Sequence, residues 1–241
     1  MQLGDDLVEA QFIRRMNRFL AVANIRGQET AVHVANSGRL RELFVPGAEI
    51  WLKPAARPGR KTAYDLALVK ADGVLVSADA RLPNSLVAEA VEDGKLAGHQ
   101  GPMRVTREST FGESRFDLLL ESEGERRYVE VKSCTLVESG VGLFPDSPTT
   151  RGARHLNTLA EAVEAGCRAS VLFIAQRPDA SAFATNDDAD PGLALAFQNA
   201  VARGVDAYAF NCRVTLHEVV LDQRLPIVLF ASIPGRLGQS S

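Results

Sequence analysis

The sequence predicts an α/β chain in two parts, a small β-barrel over residues 1–80 and an α/β domain with a mixed central sheet over residues 81–241. Before residue 80, short β-type runs alternate with turn residues and no helical periodicity stands out; after it, amphipathic helical stretches separate further strand-type runs. Charge divides the chain near the same place. Residues 14–61 carry 10 basic side chains against 3 acidic, whereas residues 81–241 carry 16 against 21, so the overall −3 hides two unlike halves.

In the first part, residues 19–25, 30–35, 49–53, 64–70 and 74–77 read as strands, separated by turn signals such as Arg26-Gly27, Asn36-Ser37-Gly38 and Pro46-Gly47. Five short strands without a helix suggest an OB-like barrel, an architecture that often binds oligonucleotides. In the second part, Asn84 is expected to cap a helix over residues 85–93 that stops at Gly94. Strands over 103–108, 115–121 and 127–133 follow. A helix over 152–165 sets Leu156, Leu159, Ala160 and Val163 at helical spacing. A buried-type strand over 170–175, a helix over 192–203 stopped by Gly204, and strands near 206–210 and 215–220 complete the order.

Several functional classes are disfavoured. No unbroken apolar run exceeds five residues, so no span of about 20 apolar residues is available for a bilayer helix. Asp5, Asp6 and Glu9 stand where a signal peptide needs a basic start, and a cytoplasmic protein is expected. Cys134, Cys167 and Cys212 are odd in number and far apart, which argues against a disulfide framework and against a thiolate zinc site.

The most informative segment is residues 114–132, which reads as a hairpin turning at Glu123-Gly124. A two-residue loop sets Asp117 opposite Glu130. Alternation then groups Phe116, Leu118, Leu120, Val129 and Val131 on a core face, and Asp117, Leu119, Tyr128, Glu130 and Lys132 on the other. Two adjoining carboxylates suit Mg²⁺ (or Mn²⁺), which binds one or two carboxylates, keeps several waters and completes its shell with phosphate oxygens. Lys132 would orient the attacking water and offset charge on phosphorus. By spacing alone, a cross-strand salt bridge from Lys132 to either acid is equally compatible.

Asp117 followed by Glu130-Val-Lys132 on the next strand, within this element order, resembles the D…(D/E)-x-K site of restriction-endonuclease-like phosphodiesterases. The wider chain resembles the sugar fermentation stimulation protein A family over nearly its whole length. The matching stretches include Arg18-Phe-Leu20, His33-Val-Ala-Asn-Ser-Gly-Arg39, Pro83-Asn84-Ser-Leu86, Ser114-Arg-Phe-Asp117, Val129-Glu-Val-Lys-Ser133, Phe144-Pro-Asp146, Arg151-Gly152 and His155-Leu156. Val34-Ala35 departs from the Cys-Pro usual there, and Gly192-Leu193 lies where a Tyr is common. The resemblance implies an OB-type first domain, a restriction-endonuclease-like second domain, sequence-tolerant DNA binding and a role in regulating sugar (maltose) metabolism. It also implies a further metal-side carboxylate, for which Glu89 and Glu108 compete.

The expected partner is DNA, with single strands or RNA as alternatives; no membrane partner is expected, and oligomeric state is left open. Arg39, Arg60 and Lys61 belong to the basic field of the barrel, in which Phe19, Phe44, Trp51 and Tyr64 are candidate stacking rings. Arg115 precedes the acidic pair. Arg151, Arg154 and His155 open a helix whose N-terminus would seat a phosphate. Two readings of the whole therefore stand: a metal-dependent phosphodiesterase acting on DNA, and a DNA-binding regulator that keeps the nuclease-like fold without cutting. A sugar enzyme ranks last, because aromatic residues make up only 6% of the chain.

Overall fold

The computed structural model describes residues 1–55, 57–96 and 103–230. Its first part contains β1 (Val8–Asn17), β2 (Leu20–Ile25), β3 (Gln28–His33), β4 (Glu49–Pro54), β5 (Tyr64–Ala71) and β6 (Val74–Ser77). The strands are ordered β3-β2-β1-β4-β5-β6, and a parallel pairing of β3 with β5 through His33 and Asp65 closes β1 to β5 into a five-stranded OB-like barrel. Phe12, Val32, Ile50, Leu52, Leu66 and Val69 fill it. All five expected strands are present, and β1 is a sixth that periodicity misses. Register shifts between Phe12 and Arg14 and between Arg15 and Asn17 break its alternation against β2. Residues 1–3 leave the barrel: the Leu3 N–H donates to the His217 carbonyl at 2.7 Å, so they lie with the second part.

That second part begins with α1 (Leu82–Glu92), β7 (Arg104–Phe111), β8 (Ser114–Ser122) and β9 (Glu125–Cys134). Next come β10 (Leu136–Glu138), β11 (Val141–Phe144), α2 (Thr150–Glu164), β12 (Arg168–Ala175), β13 (Ala182–Thr185), α3 (Pro191–Ala202), β14 (Asp206–Val214) and β15 (Val219–Leu225). The main sheet has the order β15-β14-β12-β9-β8-β7, with β9, β12 and β14 parallel and the outer pairs antiparallel. α1 covers one face, setting Leu86, Val87 and Val91 against Leu118, Val129 and Leu172. α2 and α3 cover the other, with Leu156, Leu159 and Leu193 against Val171 and Phe173. Helices on both faces explain why β12 is buried from Ala169 to Ala175 and carries the unbroken apolar run 171–175.

α1 starts earlier than its sequence suggests. Pro83 sits in its first turn, Arg81 is the N-cap without a side-chain cap bond, and Asn84 lies inside the helix, free to point elsewhere. α2 is capped by Thr149, whose hydroxyl accepts the Gly152 N–H at 3.0 Å, and α3 by Asp190, which accepts the Leu193 N–H at 2.9 Å. The barrel docks on the α1 side, where Ala67 and Leu68 of β5 join the α1 cluster. Polar ties reinforce the junction: the Thr135 hydroxyl donates to Glu42 Oε1 at 2.9 Å, and the Ser77 N–H to the Gln176 carbonyl at 3.0 Å.

Candidate functional site

The β8–β9 hairpin has the register its turn predicts, pairing Ser122 with Glu125 and running through Leu119–Tyr128 to Leu118–Val129. Gly124 adopts φ +77°, a left-handed conformation that suits glycine in such a turn. Past Leu118 the ladder opens, and Asp117 Oδ2 accepts the Val131 N–H at 2.8 Å. On the other side of β8, pairing skips from Arg107–Leu118 to Ser109–Phe116, and Glu108 between them has φ +57°. These irregularities correct the expected faces: Phe116 lies in the α2-side core with Leu119 and Tyr128, not with Leu118 and Val129.

Asp117, Glu130 and Lys132 line the same cleft, although the ladder opens before Asp117 and Glu130 pair directly. Asp117 Oδ1 accepts from Asn84 Nδ2 at 2.6 Å, so the would-be cap residue of α1 holds the acid instead. Glu130 is buried, at 4% exposure, and its Oε1 receives both Lys132 Nζ at 2.5 Å and His155 Nδ1 at 2.6 Å. Arg151 Nε lies 3.3 Å from His155 Nε2 as its donor, which leaves Nδ1 to carry the proton given to Glu130. Glu130 Oε2 is buried without a hydrogen-bond partner. Burial pushes the Asp117 carboxyl above the ordinary aspartate range, and the Glu130 charge pushes the same way, against the bonds from Val131 and Asn84. Burial also pushes Glu130 up, but the Lys132 charge and the His155 hydrogen bond outweigh it and hold Glu130 below its ordinary range.

Asn84, Asp117, Glu130, Lys132 and Arg151 line this cleft of about 540 Å³, whose opposite wall belongs to the barrel. Asn36, Ser37, Gly38 and Leu40 form that wall, and Asp146 ties it across: its Oδ2 accepts the Arg39 N–H at 2.6 Å and the Leu40 N–H at 3.2 Å. A Cβ on Gly38 would come within 2.9 Å of Asp146 Oδ2, so a larger residue there would push against the carboxylate that ties the wall. Arg15 holds the wall from behind, donating to the carbonyls of Asn36, Gly38 and Arg39 at 2.9, 2.6 and 2.8 Å. Sequence spacing contains no signal for this clamp, because its partners are separated by 107 positions.

Other expected site residues fall elsewhere. Glu89 is half exposed and faces the Met1 ammonium at 3.4 Å; Glu108 is exposed and lies 3.5 Å from Arg115; neither lines the cleft. Each is satisfied locally, and Asn84 is what α1 brings to Asp117. His155, expected at a phosphate seat, is buried at 3% exposure on Glu130, because α2 packs on both the sheet and α3 and so buries a wider face than the leucine stripe indicates. Arg60 is ion-paired with Asp65. Arg151 is exposed and lines the cleft, whereas Arg154, Lys61, Arg39 and Arg115 are exposed outside its lining. Among the described residues, no group of three or more His, Cys, Asp and Glu side chains could hold a metal ion.

Residues 13–78 match the model of the SfsA N-terminal OB domain, and residues 81–218 that of the Sugar fermentation stimulation protein RE domain. The chain is 41% identical to the sugar fermentation stimulation protein homolog of Desulforamulus reducens over 224 residues, covering 93% of both chains. It is 44% identical to that of Moorella thermoacetica over 216 residues, covering 89% of this chain and 93% of the relative. The solved structure of Pyrococcus furiosus SfsA in complex with Ca²⁺ superposes with a TM-score of 0.88 at 31% identity, over 95% of this chain and 99% of that one.

Proposed function

The chain belongs to the sugar fermentation stimulation protein family, and from the geometry of its cleft we propose that it binds DNA in the cytoplasm and hydrolyses phosphodiester bonds with a divalent cation. One observation carries the reading: Glu130 Oε2, buried and without a hydrogen-bond partner, beside the half-buried Asp117 whose charge is disfavoured. A buried carboxylate oxygen left unpaired is costly, and a bound cation satisfies it. Two carboxylates without a third protein ligand fit an oxygen-preferring ion that retains water, Mg²⁺ or Mn²⁺, rather than zinc. The Ca²⁺ in the Pyrococcus furiosus relative is of the same hard, oxygen-binding class.

Asp117 and Glu130 would hold the ion, which when bound supplies Lewis-acid polarisation of a phosphate oxygen and a more acidic water. Asn84 and the Val131 amide fix Asp117; His155 and Lys132 fix Glu130 through one oxygen and leave the other for the ion. Lys132 Nζ, anchored at the cleft wall, holds a water for attack and counters charge growing on phosphorus. Arg151 presents a guanidinium to the neighbouring phosphate. Regulation of sugar metabolism would follow from action on DNA.

The test incubates purified protein with single- and double-stranded DNA and RNA in Mg²⁺, Mn²⁺ or EDTA. Metal-dependent cleavage that disappears in an Asp117→Ala/Lys132→Ala protein, with salt-sensitive binding retained, is the expected result. Cleavage undiminished in that variant would overturn the site; binding without cleavage in any metal would identify a regulator instead.

A further inference from the structure

Of the four rings that the sequence offers as stacking surfaces, three are engaged within the fold. Phe44 stacks on Phe12 at 5.0 Å under the Arg15 guanidinium, Tyr64 packs against the barrel core, and Trp51 against the α1 cluster. Phe19 differs: it is 50% exposed, on the turn between β1 and β2. The His33 ring backs it with centroids 6.4 Å apart and planes inclined by 28°, and His33 Nδ1 lies 3.0 Å from the Phe19 carbonyl oxygen. The preceding residue, Arg18, lines the cleft and makes no ion pair among the described residues. Arg15 joins this turn to the cleft wall, since its guanidinium reaches the carbonyls of Asn17 and Arg18 as well as those of Asn36, Gly38 and Arg39. Turn and wall form one surface.

A supported, exposed ring beside a cation at the edge of a cleft suits a nucleobase whose phosphate enters the cleft. A base stacked inside a duplex does not present its face to such a ring, whereas an unpaired one does. The basic field of the barrel complements the phosphates of the strand. We propose that the strand entering the cleft is single-stranded there, with an unpaired base stacked on Phe19 and the adjoining phosphate led past Arg18 toward Asp117 and Glu130. This rests on the nucleic-acid reading above and names the strand form and the platform.

The test is fluorescence anisotropy with a labelled single strand of about 12 nucleotides and a blunt duplex of the same sequence. It is run in EDTA, so that cleavage does not intervene, on the unmodified protein, Phe19→Ala and Phe19→Trp. Phe19→Ala is expected to weaken single-strand binding roughly 5- to 100-fold, the loss of one base–ring stack, and to leave duplex binding unchanged. Phe19→Trp is expected to restore the single-strand affinity. Unchanged single-strand affinity in Phe19→Ala, or equal losses for both forms, overturns the platform and leaves the nucleic-acid reading standing. Binding of neither form by the unmodified protein overturns both.

Discussion

Asp117 Oδ2 accepts the main-chain N–H of Val131 at 2.8 Å, at the point where the ladder between β8 and β9 would otherwise continue. A carboxylate thus stands in for a strand carbonyl, and the hairpin opens without leaving its donor unsatisfied. The opening seats a second acid, Glu130, next to the first. Much of the site's behaviour follows from holding these two groups close together, half or fully out of water.

The two acids respond to pH with opposite signs. Asp117 has a folded pKa raised by burial and by Glu130, so its contribution to stability is greatest below the unfolded value and is lost as pH rises through the folded one. In EDTA, the Tm of Asp117→Asn relative to the unmodified protein should rise from acid toward neutral pH, on top of a pH-independent offset from the acceptor oxygen that the amide lacks. Glu130 has a lowered folded pKa, through Lys132 and His155 acting against burial, so its contribution is present above the unfolded value and fades as pH falls. Glu130→Gln should therefore destabilise most at neutral pH. Thermal unfolding from pH 3 upward checks both directions; a Tm difference for Asp117→Asn that falls from acid to neutral pH would contradict the first.

His155 is a positioning residue for Glu130, held in turn by Arg151 and resting edge-on against Phe116. Groups that orient a metal-binding side chain typically contribute about 10- to 100-fold in metal affinity. His155→Ala should weaken Mn²⁺ binding by that order, as followed by calorimetry or electron paramagnetic resonance. Mn²⁺ affinity equal to that of the unmodified protein would reduce the ring to packing.

Asp146→Ala should loosen the barrel wall of the cleft. Hydrogen bonds to a charged acceptor contribute about 1.5–3 kcal/mol, and two amides share this one. Amide hydrogen exchange at Arg39 and Leu40 is expected to accelerate, while the Ser77 amide, bonded to Gln176, remains protected. Uniform acceleration at both places would mean that the junction opens as one unit.

Gly152→Ala tests how closely α2 and α3 approach. The added carbon would lie 2.7 Å from Leu193 Cδ1 and 2.8 Å from Thr149 Cγ2, next to the cap of α2. Overpacking of this kind costs about 1–3 kcal/mol, readable as a lower denaturant midpoint at unchanged slope. A neutral substitution would show that the helices can separate.

The hairpin is legible because a two-residue turn determines its register as far as Leu118–Val129, which brings Asp117 and Glu130 to the same end of the ladder. The Phe116 face was not legible, because strict alternation has no place for the break that Asp117 and Glu108 introduce. β10, β11 and β13 have three or four residues each, too few to show a period. Asn84 resembles a cap in sequence because Asn favours that position, yet Pro83 starts α1 earlier and turns Asn84 toward the acid. Asp146 and Arg15 act between distant segments, and only the docking of the barrel reveals what they hold.

The Arg15 guanidinium has five N–H donors, and each meets a main-chain carbonyl: those of Asn17, Arg18, Asn36, Gly38 and Arg39. Carbonyls are the same whatever side chain follows them. The contour of this surface is therefore indifferent to the identities of residues 18, 37 and 39, which can drift to suit new ligands while one arginine preserves the frame. A lysine, with three donors on a point charge, has no such reach, and Arg15→Lys would trade evolutionary latitude for a floppier rim.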